Sequence, residues 1–405
     1  MAPVTAARRP AGLPVWAFIT LMTALTAVSA VSNNLFLPSM PSMTDGLHTD
    51  AATAQITISA FTIAFAFSQL AWGPVADRFG RRGVLIAGLT LYFAASLACW
   101  QADTIEEMIA LRIAQALGVC CGPVMARAIV RDVYELKDAA RILSYVSSAF
   151  ALTPVLAPAL GALIDEAFGW RANFLFMAAS GGLMLAVVLL VLPETARRGH
   201  TRIHPVAVAE GYVSVLSSRL FIGHALTATF AFAAIFIFNS VTPFFFIGTA
   251  HLSPTEFAIP YAIIAVTYGF TAYAAARMTP RFGFERTVLL GSFIALAGGG
   301  ALAALVAGGS MSAWWLCGAM GIVTLGQGFV FPNCQAGAVA PFPHRAGAAS
   351  AMVGFLQMTL AAFSGMAVML FYDGTAWLMA VSILAYLAVS VVIHWLLIAR
   401  HRPQR

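Results

Sequence analysis

The sequence predicts an all-α membrane protein whose twelve transmembrane helices form two six-helix halves around a central cavity. Three observations support this fold class. The 405 residues are 60% hydrophobic and only 9% charged, the mean hydropathy is +0.87, and apolar runs of about 20 residues, the length that crosses a bilayer, recur along the chain. A short basic motif also repeats near half the chain length. A protein with a water-facing surface could not carry this composition, so a soluble fold is excluded.

The apolar runs place the helices in two sets of six. We predict helices near 14–38, 51–75, 83–101, 105–130, 141–164 and 172–193, and then near 220–247, 258–279, 287–308, 313–335, 347–371 and 375–399. Between the two sets lies the longest polar connection. We therefore divide the chain into an N-terminal six-helix bundle (1–193), a cytoplasmic linker loop (194–219) and a C-terminal six-helix bundle (220–405).

Basic residues predict the orientation. When the loops are assigned to alternate sides, all of the 22 Lys and Arg except Arg112 and Arg171 fall on one side. Loops rich in Lys and Arg stay in the cytoplasm. We therefore expect a multi-pass protein of the cell's inner (plasma) membrane, with both termini cytoplasmic.

The second and eighth predicted helices are followed by similar turns. Residues 77–82 read DRFGRR, and residues 280–286 read PRFGFER, an offset of 203 residues. A basic turn that recurs at equivalent places in the helix order indicates duplication of a six-helix unit. Two such units imply a cavity between them.

Several function classes are excluded or disfavoured by what the sequence lacks. The arginines are spread over many loops, which argues against nucleic acid as a partner. The five cysteines, Cys99, Cys120, Cys121, Cys317 and Cys334, show no metal-ligand spacing, so we predict no metal site. No Gly-rich phosphate loop accompanies the single lysine, which argues against an ATP-driven pump. We also find no catalytic constellation, and we expect neither an enzyme nor a cofactor; energy would come from an ion gradient.

Asp77 is the first candidate for a specific role. It stands at the C-terminal end of a helix, where the helix dipole disfavours an anion by about 0.3–1 kcal/mol. We expect it to pair with nearby arginines or with the N-terminus of the eleventh helix near Ala346, forming a latch while that side is closed. The alternative is a solvated charge that only sets topology.

Several motifs together resemble the major facilitator superfamily, and within it the bicyclomycin and chloramphenicol resistance (Bcr/CflA) branch. They are GPVADRFGRR at 73–82, LRIAQALG at 111–118, AIVRD at 128–132, LTPVLAPALG at 152–161, FGWR at 168–171 and LPET at 192–195. The resemblance covers most of the chain and is strongest in the first half. It implies a transporter that works by alternating access.

The resemblance also implies roles for particular residues. Gating of the cytoplasmic side would fall to Gly73, Asp77, Arg78, Gly80, Arg81, Arg82 and Asp132, with Asp132 pairing with the loop arginines. The fifth-helix motif is associated with exporters; Pro154, Pro158 and Gly161 would lie on one face and bend the helix, and the small residues would let the opposing half approach. Ala162 replaces the motif's final glycine, which weakens the exporter interpretation.

Arg112 lies near the middle of a predicted helix, where insertion of a charge costs about 2.5–3.5 kcal/mol. We therefore expect it to face the cavity, with Gln115 one turn away on the same face. A relay or substrate contact is the favoured role, and a structural hydrogen-bonding hub is the alternative.

The remaining cavity candidates are polar or aromatic residues on several helices: Asn33, Asn34, Gln69, Phe238, Asn239, Phe245, Tyr268, Gln327, Asn333 and Gln357. Each could instead pack against a neighbouring helix. Many relatives of this branch carry an Asp where this chain has Asn33-Asn34, and Asn cannot titrate. A proton carrier would then be a peripheral acid, such as Asp45, Asp165 or Glu166, or a histidine such as His224.

The leading functional hypothesis is a monomeric exporter of neutral or weakly polar organic compounds, such as antibiotics, in exchange for protons. The alternative is a facilitator or exporter of a metabolite, for example a nucleoside or sugar, without proton coupling. Without a buried acid, strongly cationic drugs would find no counter-charge, so we expect them to be poor substrates.

Overall fold

The computed structural model describes residues 14–135, 153–195, 205–310 and 312–398, with a few more residues between 138 and 146. The first part of the described chain folds into helices α1 Val15–Asn34, α2 Met40–Gly46, α3 Ala51–Phe79, α4 Arg81–Gln101, α5 Ile105–Val119, α6 Cys121–Val133, α7 Thr153–Phe168 and α8 Arg171–Val191. The second part forms α9 Pro205–Leu216, α10 Arg219–Thr242, α11 Pro254–Phe282, α12 Phe284–Ala307, α13 Ala313–Val339, α14 Ala346–Leu370 and α15 Trp377–Leu397.

The described residues contain 11 helical segments long and apolar enough to cross a membrane. Each coincides with one of the predicted spans. The fifth prediction, 141–164, falls partly outside the described residues; its second half overlaps α7. The all-helical membrane fold is therefore confirmed.

Two segments differ from the predicted pattern. The first helix does not continue to residue 38: α1 ends at Asn34, a 3-10 turn covers Leu37–Ser39, and α2 follows. Pro38 lacks the backbone N–H that an uninterrupted helix would need, which explains the break. The segment expected to be a linker loop contains the helix α9, which is too short to register as an apolar span.

The repeated turn has the same backbone geometry in both places. Gly80 between α3 and α4 has φ 90°, and Gly283 between α11 and α12 has φ 83°. A positive φ is the conformation that glycine adopts at least cost. The repeat found in the sequence is thus a repeat of structure.

The charged loops define two ends of the molecule. The basic end carries the turns at Arg81 and Arg286 and the start of α14; the acidic end carries Asp103, Glu166 and Glu256. At the acidic end Arg171, an exception to the charge pattern, donates to Asp103 at 3.2 Å and stacks over Trp170 at 4.4 Å. Its local partners account for its position.

Helices before residue 194 pack mainly on one another, as do those after 218, and most of the contact between these two sets of described helices comes from two helix pairs. One is α3 with α14, where Ser59 Oγ donates to the Ala362 carbonyl at 3.2 Å and Phe67 meets Phe355 edge-on at 5.1 Å. The other is α7 with α11. The division into two six-helix bundles remains a prediction that this packing supports.

Candidate functional site

Arg81 joins two helices at the basic end. Its Nη1 donates to Asp77 Oδ1 at 2.6 Å, and its Nε donates to Asp132 Oδ2 at 3.1 Å. The arginine side chain is 14% exposed, so water screens the pairs less than in an exposed salt bridge. These three residues make the contacts predicted from the sequence, and we call them the basic-end triad.

Glu194 completes this region and was not among the predicted residues. Its Oε1 accepts from the backbone N–H of Arg81 at 2.9 Å, and its Oε2 accepts from that of Arg82 at 3.2 Å. A carboxylate at the first unpaired amides of a helix is stabilised by hydrogen bonds and by the helix dipole. A Cβ at Gly80 would overlap the Glu194 carboxylate, so glycine is needed there for space as well as for backbone conformation.

The other two arginines that the sequence predicts to take part in gating are placed differently. Arg82 Nη2 donates to the Leu189 carbonyl at 2.7 Å, which ties α4 to α8. Arg78 lies over the ring of Phe79 at 5.2 Å. They hold the turn but lie outside the hydrogen bonds of the triad.

A cavity of about 470 Å³ opens beside the triad, between α3, α6, α9 and α14. Five predicted residues line it: Gln69, Gly73, Asp77, Arg81 and Asp132. The first turn of α14 borders the same cavity through Gly347 and Ala348, so Asp77 and the helix start proposed as its partner share one space. A second cavity of about 620 Å³, at the acidic end between α11 and α13, contains none of the predicted residues.

Contacts between the two sets of helices close the acidic end. Glu166 on α7 accepts from Thr255 Oγ1 on α11 at 2.8 Å. Deeper in the molecule, Gln55 Nε2 on α3 donates to Ser240 Oγ on α10 at 2.8 Å. These two hydrogen bonds join the two sets of helices at and near the acidic end in this conformation.

Arg112 does not face a cavity, contrary to the prediction. Its side chain is fully buried and lies between two rings, 4.3 Å from Phe36 and 4.1 Å from Phe61. The flat guanidinium stacks well in such a slot, where desolvated cation–π contacts contribute about 2 kcal/mol. None of the ion pairs found among the described residues involves Arg112.

Hydrogen bonds satisfy only part of the Arg112 guanidinium. Nη1 donates to the Ser32 carbonyl at 3.0 Å and to Gln115 Oε1 at 2.5 Å, while Nε and Nη2 have no partner. Gln115 Nε2 in turn donates to Ser96 Oγ at 2.7 Å. Gln115 therefore contacts Arg112 as predicted from their spacing, and two buried donors of Arg112 are left available.

The aromatic pocket predicted around Phe238 and Phe245 is not an open pocket. Both rings are buried in the hydrophobic core; Phe238 lies on α10, and Phe245 lies in the π-helical segment Pro243–Thr249 that follows it. Asn239 accepts from Tyr261 Oη at 2.7 Å and is likewise used in helix packing. Tyr268 is partly buried on α11 and lines neither cavity.

The predicted amides have partners within the helix bundle and some unused atoms. Gln327 Nε2 donates to the Ala231 carbonyl at 2.7 Å, Asn333 accepts from Thr279 at 3.0 Å, and Asn34 donates to Ala30 at 2.8 Å. Asn33 Oδ1, Gln327 Oε1 and Gln357 Nε2 have no partner. These residues do not line the 470 Å³ cavity.

The predicted exporter motif lies on α7. A Cβ at Gly161 would overlap the carbonyl oxygen of Leu35, which belongs to the same N-terminal set of helices. Gly161 therefore allows the end of α1 to approach α7 closely, while α7 also packs on α11 of the other set. Pro158 lies inside α7 and is buried; the side chain of Pro154 lies outside what the structure describes.

Comparisons with known proteins agree with this architecture. The sequence profile described as the Major Facilitator Superfamily matches residues 22–366. A chloramphenicol resistance protein of Pseudomonas aeruginosa is 28% identical over 89% of this chain and 86% of its own length. A bicyclomycin resistance protein homolog of Haemophilus influenzae is 24% identical over 96% of this chain and 98% of its own length. The resemblance to this resistance branch is thus confirmed.

Solved structures give the same fold. The Escherichia coli xylose transporter XylE, in a partially occluded inward-open conformation, superposes with a TM-score of 0.75 at 12% identity, covering 96% of this chain and 99% of that one. A bacterial homolog of the lysosomal transporter Spinster, in an inward-facing conformation, gives a TM-score of 0.73 at 15% identity, covering 95% and 98%.

Proposed function

This chain belongs to the Major Facilitator Superfamily, and from that premise we propose that it exports small organic molecules, such as antibiotics, by alternating access. The names of its relatives as chloramphenicol and bicyclomycin resistance proteins support this substrate class. The observation that carries the proposal is the cavity at the basic end, bordered by the Asp77–Arg81–Asp132 triad. Rearrangement of such ion pairs would accompany closure of that end.

We assign the basic end to the cytoplasm of a cell with this protein in its inner membrane. The excess of Lys and Arg in loops at that end supports this orientation. With the acidic end closed, the described conformation would take substrate from the cytoplasm. We further propose that both termini lie in the cytoplasm and that the monomer is the transporting unit. In this arrangement residues 194–219 connect the two bundles, and the chain has no enzymatic activity.

The preferred substrates are neutral. Arg112 is the only Asp, Glu, Lys or Arg that is fully buried among the described residues, and other buried polar groups are amides, hydroxyls and imidazoles. A cationic drug would have no buried counter-charge to compensate its desolvation. Amide and hydroxyl groups suit a neutral compound with hydrogen-bonding groups, such as chloramphenicol.

We propose proton exchange as the energy source, with Glu166 as the foremost carrier. Among Asp45, Asp165, Glu166 and His224, Glu166 joins α7 to α11 at the acidic end through Thr255. Protonation of its carboxylate would weaken that contact and favour opening. The presence of amides at Asn33 and Asn34 favours the alternative, a facilitator or metabolite exporter without proton coupling.

A resistance panel tests the substrate class. The chain is expressed in a bacterial strain lacking its own drug exporters, and growth is measured against chloramphenicol, bicyclomycin and a quaternary ammonium compound. The proposal predicts at least fourfold higher inhibitory concentrations for the neutral drugs and no change for the cation. A profile dominated by quaternary cations contradicts it. The Arg81→Ala variant, matched for expression, serves as the inactive control.

A further inference from the structure

Three side chains from distant parts of the sequence meet near the basic end. His224 lies on α10, Cys334 on α13 and His394 on α15, and one potential ligand atom of each lies within 4.8 Å of those of the other two. All three residues are buried. Because they are far apart in sequence, no spacing motif revealed this group, which we call the His2Cys cluster.

The imidazoles of the cluster lack the hydrogen bonds that buried histidines normally make. Nδ1 of His224 and both ring nitrogens of His394 have no partner. A neutral imidazole carries one donor and one acceptor, and burying them without partners destabilises the folded state. A cluster that served packing alone would be better filled by apolar side chains.

The surrounding residues leave room for these rings. Gly337, one turn beyond Cys334 on α13, would place a Cβ 2.7 Å from His224 Nε2, so a larger residue there would displace the imidazole. Phe284 also lies beside Gly337 and packs edge-on against His224, with ring centroids 5.5 Å apart. The neighbouring carboxylate of Glu285 acts electrostatically on both imidazoles and supplies negative charge that would favour a bound cation.

We propose that the His2Cys cluster binds one closed-shell transition-metal cation, Zn²⁺ or Cu⁺. Two imidazole nitrogens and a thiolate are the donors that these cations prefer over Mg²⁺ or Ca²⁺. Bonds of about 2.0–2.3 Å would require the three ligand atoms to approach one another by roughly 1 Å, which small side-chain rotations can supply. The thiolate cancels the charge of Cu⁺, and together with Glu285 it cancels that of Zn²⁺.

Metal binding would connect three helices of the C-terminal half. The ligands belong to α10, α13 and α15, so the ion would fix their basic ends relative to one another. A ligand that binds only the folded state stabilises it by mass action. The site lies outside the triad and the 470 Å³ cavity, so its existence does not depend on which substrate is exported.

Metal titration of the full-length protein tests the proposal. The protein is purified in detergent without a polyhistidine tag, stripped with chelator, and titrated with Zn²⁺, with Cu⁺ under anaerobic reducing conditions, and with Mg²⁺. Co²⁺ serves as a spectroscopic probe for Zn²⁺, because a thiolate ligand gives a charge-transfer band. We expect the protein to bind one equivalent of Zn²⁺ or Cu⁺ with a raised midpoint of thermal unfolding, and to show no response to Mg²⁺. Comparing the Zn²⁺ and Cu⁺ titrations identifies which ion the site prefers.

Matched variants locate the site. Cys334→Ser, His224→Gln and His394→Gln should each weaken binding at least tenfold, and Cys334→Ser should remove the cobalt–thiolate band. Cys317→Ser, a buried cysteine on the same helix, and His251→Asn, in a loop at the acidic end, should bind as the unaltered protein does. Unchanged binding by Cys334→Ser, or the absence of stoichiometric binding by the unaltered protein, overturns the proposal. If Cys334→Ser does not fold, His394→Gln decides by the same criterion.

Discussion

The carboxylate of Glu194 caps the helix that begins at Arg81, with its Oε1 2.9 Å from the Arg81 backbone nitrogen. This contact spans 113 residues of sequence and fixes the start of α4 against the end of α8. It also holds in place the turn that carries the arginine of the triad. Three features of the basic end, the Gly80 turn, the start of α4 and Arg81, therefore depend on one side chain.

Replacing Glu194 with Ala should lower the free energy of unfolding by about 1–2 kcal/mol, the range for a lost helix cap with its charge–dipole contribution. Glu194→Gln should lose less, because an amide oxygen can still accept one hydrogen bond. Thermal unfolding in detergent measures both. Glu210→Gln, exposed on α9, is the matched control, and an equal loss in that control would contradict the capping role.

Arg81→Ala should reduce the transport rate at least tenfold, because it leaves both Asp77 and Asp132 without their shared cation. Arg81→Lys should recover only part of the rate, since an ammonium cannot present Nε and Nη1 in the fixed geometry of a guanidinium. Initial rates of drug uptake into vesicles provide the measurement. Arg286→Ala, in the equivalent turn of the second half, should transport normally; equal loss there would indicate a general charge effect.

Coupling within the triad can be measured separately. Asp77→Asn, Asp132→Asn and the double variant form a double-mutant cycle on thermal stability. Because both carboxylates bind one guanidinium, we expect their effects to be non-additive by about 0.5 kcal/mol or more. Additive effects would show that Arg81 does not link the two acids in solution.

Arg112→Met tests whether the buried cation is structural or functional. Methionine retains much of the volume and removes two unpaired donors, which offsets part of the loss of the ring contacts and of the hydrogen bond to Gln115. The free energy of unfolding should therefore fall by no more than about 1–3 kcal/mol, and the variant should fold. Transport should nevertheless fall at least tenfold, if the free Nε and Nη2 atoms are used during the cycle. A stable variant that transports at the original rate would make Arg112 a structural hub only.

Gly161→Ala should strongly destabilise the protein. The added Cβ would overlap the backbone oxygen of Leu35, and a backbone atom cannot move aside as a flexible side chain can. Expression and thermal midpoint report the effect. Gly300→Ala on α12, where a Cβ meets nothing within 4 Å, should be neutral or stabilising; similar losses in both variants would exclude a specific α1–α7 contact.

The sequence predicted the helices better than it predicted their contacts. Span positions follow from the length of apolar runs, which is a local property, and the basic turns carried enough local signal to indicate the triad. The partners of Arg112 could not be predicted, because Phe36 and Phe61 come from two other segments whose packing no local pattern determines. The contact of Glu194 with the start of α4 could not be predicted for the same reason. Its position in the LPET motif, directly after a spanning helix, is a signal that could have indicated a role for it.

We propose that this protein exports a neutral drug in exchange for protons. The most direct test of this proposal is to reconstitute the protein in liposomes, impose an inside-acid or a neutral lumen, and follow radiolabelled chloramphenicol uptake beside a lumenal pH dye. We predict faster uptake with an acidic lumen, a rise in lumenal pH as the drug enters, and loss of that pH response in Glu166→Gln. Uptake that is equal in both kinds of vesicle, with no change in lumenal pH, would contradict proton exchange and establish a facilitator.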